Sequence, residues 1–357
     1  MQKNNSNVDI LFFLEDPGSI NFLKDLPKYL NDGDISFNYI CEGSAFSFFR
    51  DQPFFFDKKE MKADEILLVK KPYLIVVGTS ENKNSFSFNL IKEAKKNNIP
   101  TLGIVDMLCN FENRFKGNST DPLKHAPNQI LVPDKKTKEC FKSINFSGNN
   151  IFVTGNPIYQ NAISYKKNYI KHDSLHEKLK ILFITEGWDM LNNEASKKNQ
   201  KYNFFGRGSS DFRTIIAMEE LVDSIKRSQI NSKLTMRVHP NSRFEDFEPI
   251  ASEFDEISSI INPYDDCLKA DLVVGITSML LLEASLLGRP TLSIMLNPDE
   301  YKWMPNIYIG PTKVACSRNR LDKYFINKEY KDYAYAIPSW AKNSSPIRIV
   351  KILKTYL

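Results

Sequence analysis

Short apolar runs alternate with amphipathic segments along the whole chain. The runs at residues 8–14, 73–77, 180–185 and 272–274 are each followed by a turn or polar loop and then by a segment with helical periodicity. Strands that alternate with helices are typical of βα units, because parallel strands need a crossover connection and a helix provides it. The pattern therefore predicts an α/β protein with doubly wound, Rossmann-like parallel sheets.

This alternation starts twice. About six strands are expected before residue 155, among them residues 129–132 and 151–153, and a helix is expected over residues 20–30. The pattern begins again near residue 180, after the turn-forming Gly155-Asn156-Pro157 and a lysine-rich stretch. A chain of 357 residues also has the length of two domains. We predict one Rossmann-like domain over residues 1–160, a second over 161–337, and a C-terminal helix within 338–357 that packs back on the first. The two domains would face a central cleft, where ligands bind at the carboxyl ends of the strands.

Composition and charge exclude several classes of protein. The net charge of +5 lacks the single-sign density of a dedicated nucleic-acid binder, so no nucleic-acid partner is expected. Five cysteines without a CxxC pair predict reduced thiols and a cytoplasmic protein. A polar N-terminus and the absence of about 18 uninterrupted apolar residues predict neither a cleaved signal nor a membrane span.

The strand near residues 272–274 leads into Gly-Ile-Thr-Ser and then an apolar helix. The hydroxyls of Thr277 and Ser278, together with the free backbone amides at the helix start around Met279, would form an anion site. Glu283 lies about one and a half turns further on and would point toward a sugar hydroxyl. The alternative is an ordinary helix with Ser278 as its N-cap and a solvated or paired Glu283.

A second candidate is the strand end Arg237-Val238-His239-Pro240. Pro240 stops strand pairing and would aim the His239 imidazole out of the sheet edge, where it can bind a phosphate or a base. Arg237, two residues earlier, would add positive charge. A structural role for His239 is about as well supported by these residues alone.

Three carboxylates follow predicted strands and are candidates for a catalytic base. Glu186 stands next to Gly187, which permits close approach to a ligand. Asp16 lies beside Glu15 and before Gly18, and the repulsion between neighbouring carboxylates tends to raise one pKa. Asp106 ends another strand. Asp16 is the first choice, and a plain turn before a helix is the alternative at that position.

Together these residues resemble the nucleotide-sugar enzymes of the GT-B superfamily, including UDP-N-acetylglucosamine 2-epimerase-like proteins and bacterial sialyl- and Kdo-transferases. The resemblance rests on the two-domain layout, the Arg-Val-His-Pro strand end and the Gly-Ile-Thr-Ser-Met-Leu-Leu-Leu-Glu-Ala helix followed by Gly-Arg-Pro. It implies His239 and Pro240 as nucleotide contacts, Thr277 and Ser278 as phosphate contacts, and Glu283 as a ribose contact. The first domain would bind the acceptor and the second the nucleotide donor.

The match has two departures. Thr185 stands where the acidic-Gly motif of the transferases has a second acid, and Glu15-Asp16 is followed by proline before Gly18. The retaining pattern of two glutamates eight residues apart is also absent, because Gly275 lies eight residues before Glu283. No metal is expected, since His172 and His176 lie in a lysine-rich stretch without neighbouring ligands, and the superfamily usually needs none.

The resulting hypothesis is a metal-independent GT-B glycosyltransferase without a cofactor, which moves a sugar from a CMP- or UDP-sugar donor to a hydroxyl of a bacterial surface glycan or lipid-linked acceptor. A nucleotide-sugar 2-epimerase or hydrolase, a phosphoribosyl-type transferase and an inactive nucleotide-binding or sugar-binding protein remain alternatives. Phenylalanines at residues 46–56, followed by Lys58, Lys59 and Lys62, suggest either peripheral contact with the inner membrane face or buried helix packing. The long loop 192–210 would be a lid or a disordered segment.

Overall fold

The computed structural model describes residues 7–168, 178–187, 201–208, 210–240, 242–304, 312–332 and 345–357. The chain divides into two compact units. Unit 1 comprises Met1–Gln160 and Pro338–Leu357, and unit 2 comprises Asn161–Ile337. Each unit contains its own six-stranded sheet, and every strand pair in both sheets is parallel.

The sheet of unit 1 has the strand order β2-β1-β3-β4-β5-β6. Its strands are β1 (Ile10–Leu14), β2 (Phe37–Cys41), β3 (Leu74–Gly78), β4 (Thr101–Ile104), β5 (Gln129–Val132) and β6 (Ile151–Val153). The strands β1 and β3 are buried at every position, because helices cover both faces of the sheet. They therefore form continuous apolar runs instead of alternating with polar residues.

Six helices follow these strands, and a last one comes from the C-terminus. They are α1 (Pro17–Leu23), α2 (Leu26–Asn31), α3 (Gly43–Phe49), α4 (Ala63–Lys70), α5 (Phe86–Lys96), α6 (Lys135–Ser143) and, from the end of the chain, the helix Ser345–Leu353. Ile349, Val350 and Leu353 of this terminal helix are buried in the same apolar cluster as β1, α1 and α2. The terminal helix thus contributes to the core of unit 1.

The helix α7 (Pro157–Asn168) begins in unit 1 and continues into unit 2. The sheet of unit 2 has the order β12-β11-β10-β7-β8-β9. The strands of this sheet are β7 (Leu179–Ile184), β8 (Ser232–Arg237), β9 (Glu256–Ile257), β10 (Leu272–Gly275), β11 (Thr291–Ile294) and β12 (Lys313–Ala315). The helices of unit 2 that connect or follow them are α8 (Arg213–Arg227), α9 (Glu248–Ala251), α10 (Pro263–Lys269), α11 (Met279–Leu286) and α12 (Arg318–Ile326). In chain order, the terminal helix Ser345–Leu353 of unit 1 is α13. Short 3-10 turns lie at Phe111–Asn113, Gly148–Asn150, Phe244–Phe247, Pro298–Trp303, Glu329–Lys331 and Lys354–Tyr356.

Each sheet has one point where the chain changes direction across it. In unit 1 this switch point lies between β1 and β3, and in unit 2 it lies between β7 and β10. The loops after these paired strands leave the sheet in opposite directions and open a crevice at its carboxyl edge, which is where ligands bind in doubly wound folds. The fold therefore places the loops at residues 15–18, 79–85, 185–187 and 276–278 at the positions that matter for function.

Several local predictions differ from the structure. The single helix expected over residues 20–30 is two helices, α1 and α2, because the chain turns at Lys24 and Asp25 and Pro27 starts a new helix. The linker expected after Pro157 is the helix α7, with Pro157 at its first position. The strands β9 and β12 and the helices α4 and α12 were not expected. The N-terminal six residues, 169–177 with both histidines, and 333–344 lie outside the described residues.

Candidate functional site

Asp16 lies directly beyond the end of β1 and starts α1. Its Oδ1 accepts the backbone N–H of Ser19 at 3.4 Å, and the Ser19 hydroxyl donates to the Asp16 carbonyl at 2.8 Å. An extended backbone at Asp16 and Pro17 at the first helical position are both favourable for such a helix start. The carboxyl group is therefore held at the carboxyl edge of the sheet beside the switch point of unit 1.

Asp106 follows β4 and reaches the same region. Gly18 lies so close to it that a Cβ atom on Gly18 would overlap the Asp106 carboxylate. Arg114, which is only 5% exposed, forms an ion pair with Asp106 at 3.5 Å and donates from Nη2 to the carbonyl of Cys109 at 3.1 Å. Asp106 Oδ1 and Arg114 Nε are buried atoms without a hydrogen-bond partner. Asp16, Gly18 and Asp106 thus form one group, with Arg114 as an additional member.

The surroundings of Asp16 raise the pKa of its carboxyl group to about 6. Burial is the largest cause, because it penalises the ionised carboxylate, and the negative charge of Asp106 adds to it. Arg114 and the hydrogen bond from Ser19 act in the opposite direction. A carboxyl group that titrates near neutral pH can both accept and return a proton under physiological conditions.

Glu15 connects the two loops of the switch point in unit 1. Its Oε2 accepts the Ser85 hydroxyl at 2.7 Å, and its Oε1 accepts the side-chain amide of Asn82. Ser85 in turn caps α5. Both oxygens of Glu15 are occupied by the loop after β3, so Glu15 orders this loop while its neighbour Asp16 carries the titratable group.

The start of α11 has one of the two features expected of an anion site, namely backbone N–H groups without a partner among the described residues, whereas the Ser278 hydroxyl caps the helix. Ser278 caps the helix by accepting the N–H of Leu280 at its hydroxyl, at 3.2 Å. The backbone N–H groups of Ser278 and Met279 have no hydrogen-bond partner among the described residues. Free amides at a helix start favour a negatively charged ligand. Ser278 is therefore a helix cap, as in the alternative prediction, beside two available donors.

Glu186 and Thr277 are hydrogen-bonded to each other at the switch point of unit 2. The carboxylate of Glu186 accepts the backbone N–H of Thr277 and lies 3.1 Å from its hydroxyl, and it also forms an ion pair with the buried Arg213. A guanidinium and an amide thus bind the oxygens of Glu186, and the donors of Thr277 are used within the protein. These contacts favour a structural role for both residues over the predicted base and the predicted phosphate contact. Gly187 beside them is buried.

Arg237 and His239 lie at the end of β8, as the sequence predicts, but with different consequences. The Arg237 guanidinium is bound by Asp266 and by the carbonyls of Ile260 and Ile261, so its charge is already balanced inside unit 2. The backbone N–H of His239 donates to the Thr185 hydroxyl at 2.8 Å, which joins β8 to the loop after β7. Burial lowers the pKa of His239, and the nearby Glu186 only partly offsets this. Pro240 is exposed.

Glu283 lies on α11 and is mostly buried. Its Oε2 accepts the hydroxyl of Tyr264 at 2.6 Å, and burial together with this carboxylate strongly raises the pKa of Tyr264. A second tyrosine, Tyr165, stacks edge-on against Tyr264 at 5.4 Å between ring centroids and donates to Asp265. Glu283 is therefore oriented by Tyr264 of α10.

The structure thus forms two groups from the predicted residues. In unit 1 they are Asp16, Gly18 and Asp106. In unit 2 they are Glu186, Gly187, Arg237, His239, Pro240, Thr277, Ser278, Met279 and Glu283, which belong to the loops and first turns after β7, β8 and β10. Sequence reasoning missed Arg114 and Arg213. Arg114 carried a weak signal, because it lies between two aromatic residues in the polar segment after Asp106.

Metal and membrane features were sought in the described part of the chain. No group of three or more histidine, cysteine, aspartate or glutamate side chains there is arranged to hold a metal ion, and no helix there has the length and apolar character needed to cross a membrane. Of the clustered phenylalanines, Phe46 and Phe48 are 41% and 53% exposed, whereas Phe49 is buried and Phe54 packs against the core. Lys58 is paired with Glu42 at 3.0 Å.

The second half of the predicted loop at residues 192–210 is anchored. Gly206 and Arg207 donate backbone N–H groups to Glu220 and Glu219 of α8 at 2.9 and 2.6 Å. Arg207 also binds Asp223 through its guanidinium. Gly206 and Arg207 are therefore held in place against α8, while residues 192–200 and 209 lie outside the described residues and the lid stays a prediction.

No protein-family model and no curated protein matches the sequence. Solved structures match its fold. A UDP-GlcNAc 2-epimerase from Methanocaldococcus jannaschii superposes with a TM-score of 0.62 at 16% identity, over 97% of this chain and 99% of that chain. The chain has the GT-B-like fold. A putative UDP-N-acetylglucosamine 2-epimerase from Listeria monocytogenes superposes with a TM-score of 0.64 at 16% identity, over 98% of this chain and 97% of that chain. The wall teichoic acid polymerase TagF superposes with a TM-score of 0.51 at 14% identity, over 99% of this chain and 90% of that chain.

Proposed function

We propose that this protein is a glycosyltransferase that transfers a sugar from a nucleotide-activated donor to a hydroxyl of a bacterial surface glycan or lipid-linked acceptor. The observation that carries the proposal is the carboxyl pair Asp16 and Asp106, in which the pKa of Asp16 rises to about 6. A base with this pKa is largely ionised at neutral pH and is still basic enough to assist the deprotonation of a hydroxyl.

Unit 2 would hold the nucleotide. The free N–H groups of Ser278 and Met279 would receive the phosphate, Glu283 the ribose, and His239 would donate or accept a hydrogen bond as a neutral imidazole. Structures of similar fold include an epimerase from Methanocaldococcus jannaschii in complex with UDP-GlcNAc and UDP. This supports a nucleotide-sugar ligand, because the match extends over 97% of this chain.

In the proposed reaction, Asp16 takes the proton of the acceptor hydroxyl, and the oxygen of that hydroxyl bonds to the anomeric carbon of the donor sugar. The bond between that carbon and the donor phosphate breaks, and its electron pair leaves with the phosphate. The amides at the start of α11 would stabilise the negative charge that develops there. Asp106 adds to the burial that raises the pKa of Asp16, and Arg114, which lowers that pKa, would limit the repulsion between the two carboxylates.

The test is an incubation of the purified chain with UDP-, CMP- and GDP-sugars, with and without glycan acceptors. Asp16→Asn should reduce transfer by at least a hundredfold, because an amide cannot accept the proton. Asp51→Asn is the matched control, since Asp51 is an exposed aspartate of the same unit, with 88% of its side chain accessible. Equal activity of Asp16→Asn and the wild type would refute the assignment of the base.

A second candidate is epimerisation of a nucleotide sugar at carbon 2. The match to epimerases over nearly their full length favours it, and two neighbouring carboxyls could remove and return a proton at carbon. The two reactions are separated by omitting the acceptor and using deuterated water. Formation of an epimer with deuterium at carbon 2 would favour the epimerase, whereas transfer requires the acceptor and leaves that position unlabelled.

A further inference from the structure

A buried charge network lies behind the start of α11. Arg213, the first residue of α8, is 1% exposed, and its Nε and Nη2 donate to the two oxygens of Glu300 at 2.8 and 3.2 Å. Its Nη1 binds Glu186, and its Nη2 also donates to the hydroxyl of Thr277 at 3.0 Å. We call Glu186, Thr277, Arg213 and Glu300 the arginine network.

The arginine network joins four separate elements of unit 2. Glu186 follows β7, Thr277 follows β10, Arg213 starts α8, and Glu300 lies in the 3-10 turn Pro298–Trp303. The first two flank the switch point. One guanidinium therefore fixes the distance between the two loops that a bound nucleotide would contact.

Stability alone explains this network poorly. Arg213 and Glu300 are almost completely removed from water, and the cost of desolvating such charges often equals or exceeds the gain from pairing them. A cation in the first turn of a helix is also unfavourable, because the helix dipole is positive there. An arrangement this costly is expected where it orients a site.

We propose that Arg213 is a positioning residue of the nucleotide-phosphate site, acting through Glu186 and Thr277 on the amides of Ser278 and Met279. This rests on the proposed function of unit 2. Glu186 accepts the N–H and the hydroxyl of Thr277 and thereby fixes the turn, whereas the next two N–H groups have no partner among the described residues. Thr277 therefore acts on the phosphate through the network and not by direct contact.

The first test compares Arg213→Lys with Arg318→Lys. Arg318, the first residue of α12, pairs at 2.7 Å with Glu220 of α8, which is 1% exposed. Among the described residues its hydrogen bonds go to Glu220 and to the Gly206 carbonyl, and none goes to the loops after β7 and β10. Lysine carries three donors on a single nitrogen, so it cannot reproduce the four contacts that the planar guanidinium of Arg213 makes from three nitrogens. We expect Arg213→Lys to raise the Kd for CMP or UDP at least tenfold by calorimetry, and Arg318→Lys to change it less than twofold. The melting temperature of each variant is measured in parallel.

Wild-type affinity in Arg213→Lys would overturn the proposal. So would equal losses of affinity in both variants that follow their melting temperatures, because that is what a purely structural role predicts. If Arg213→Lys does not fold, Glu186→Gln replaces it, since it keeps the shape and removes the charge that holds Thr277. A wild type that binds neither CMP nor UDP would instead refute the nucleotide site itself.

A double-mutant cycle distinguishes indirect from direct action of Thr277. Thr277→Val removes the hydroxyl between Arg213 and Glu186 and leaves the backbone N–H in place. If Thr277 acts through the network, the double variant with Arg213→Lys should lose no more affinity than Arg213→Lys alone. Additive losses would mean that the hydroxyl binds the phosphate independently and would contradict the proposal.

Discussion

Gly18 lies against the carboxylate of Asp106, with no room for a side chain between them. A methyl group at residue 18 would push Asp106 away from Asp16 or displace the start of α1. We therefore expect Gly18→Ala to reduce turnover of the nucleotide sugar at least tenfold and to lower the melting temperature by a few degrees. Gly148→Ala is the control, because a Cβ there meets only the flexible side chain of Lys142 at 3.5 Å. Full activity in Gly18→Ala would show that this contact does not position the carboxyl pair.

The pH dependence of activity should report on the same pair. Asp106 raises the pKa of Asp16, so removing its charge with Asp106→Asn should lower that pKa. If Asp16 works as a base, activity rises as pH increases through about 6 in the wild type. In Asp106→Asn the rise should shift to lower pH, provided that the variant retains measurable turnover. The profile of kcat/KM against pH measures this, and an unchanged acid limb would exclude Asp16 as the group that titrates.

The ionised carboxyl group of Asp16 should lower the free energy of unfolding, whereas a purely structural helix cap would raise it. The pKa of its carboxyl is about 6 in the folded chain and 3.8 when unperturbed. Between these values the folded state binds more protons than the unfolded state, so stability falls as pH rises, and the whole penalty is present above about pH 6. Asp16→Asn should therefore raise the free energy of unfolding at neutral pH, by up to about 3 kcal/mol.

Denaturant titration at two pH values checks this. Near pH 4, where the carboxyl is protonated in the folded state, Asp16→Asn and the wild type should differ little. At neutral pH the variant should be the more stable of the two while lacking activity. A variant that is less stable at both pH values would mean that the carboxylate contributes more as a helix cap than it costs by burial.

Much of the fold follows from the sequence because the interior strands are continuous apolar runs. The strands β5 and β6 have the predicted bounds, and most others differ by one or two residues. The strands that were missed are edge elements. The strand β9 is two residues long and both are exposed, and β12 is three residues long and begins with the exposed Lys313. Neither strand therefore carries an apolar pattern. Their pairing is decided by the neighbouring strand and not by their own side chains.

The sequence predicts the site residues that lie at strand ends, but it does not predict the distant residues that pair with them. Asp16 and Asp106 were found because each follows a buried strand. Arg213 was not, since a cation at a helix start contradicts local preference and its partners Glu186 and Glu300 lie 27 and 87 residues away in the sequence. Long-range pairing of this kind changes the role of Glu186 from a base to an internal acceptor.

His239 should act as a neutral group in nucleotide binding. Burial lowers its pKa from the ordinary value of 6.5, so it carries little charge at neutral pH. The Kd for the nucleotide should therefore change less than about twofold between about pH 6.5 and 8, and His239→Gln should retain more affinity than His239→Ala. Calorimetry at several pH values checks both expectations. Binding that weakens steadily over this range would indicate that His239 is charged when it meets the phosphate.

The terminal helix α13 should stabilise unit 1 through a few buried side chains. Leu353 is fully buried in the cluster that contains β1, α1 and α2, whereas Ile347 on the same helix is 56% exposed. Leu353→Ala leaves a cavity in a packed core and should cost about 2 to 5 kcal/mol, while Ile347→Ala should be nearly neutral. Since each unit has its own core, calorimetric unfolding of Leu353→Ala should show the transition of unit 1 moving to lower temperature, and nucleotide should still stabilise unit 2. Equal effects of the two substitutions would mean that α13 contributes little to the stability of unit 1.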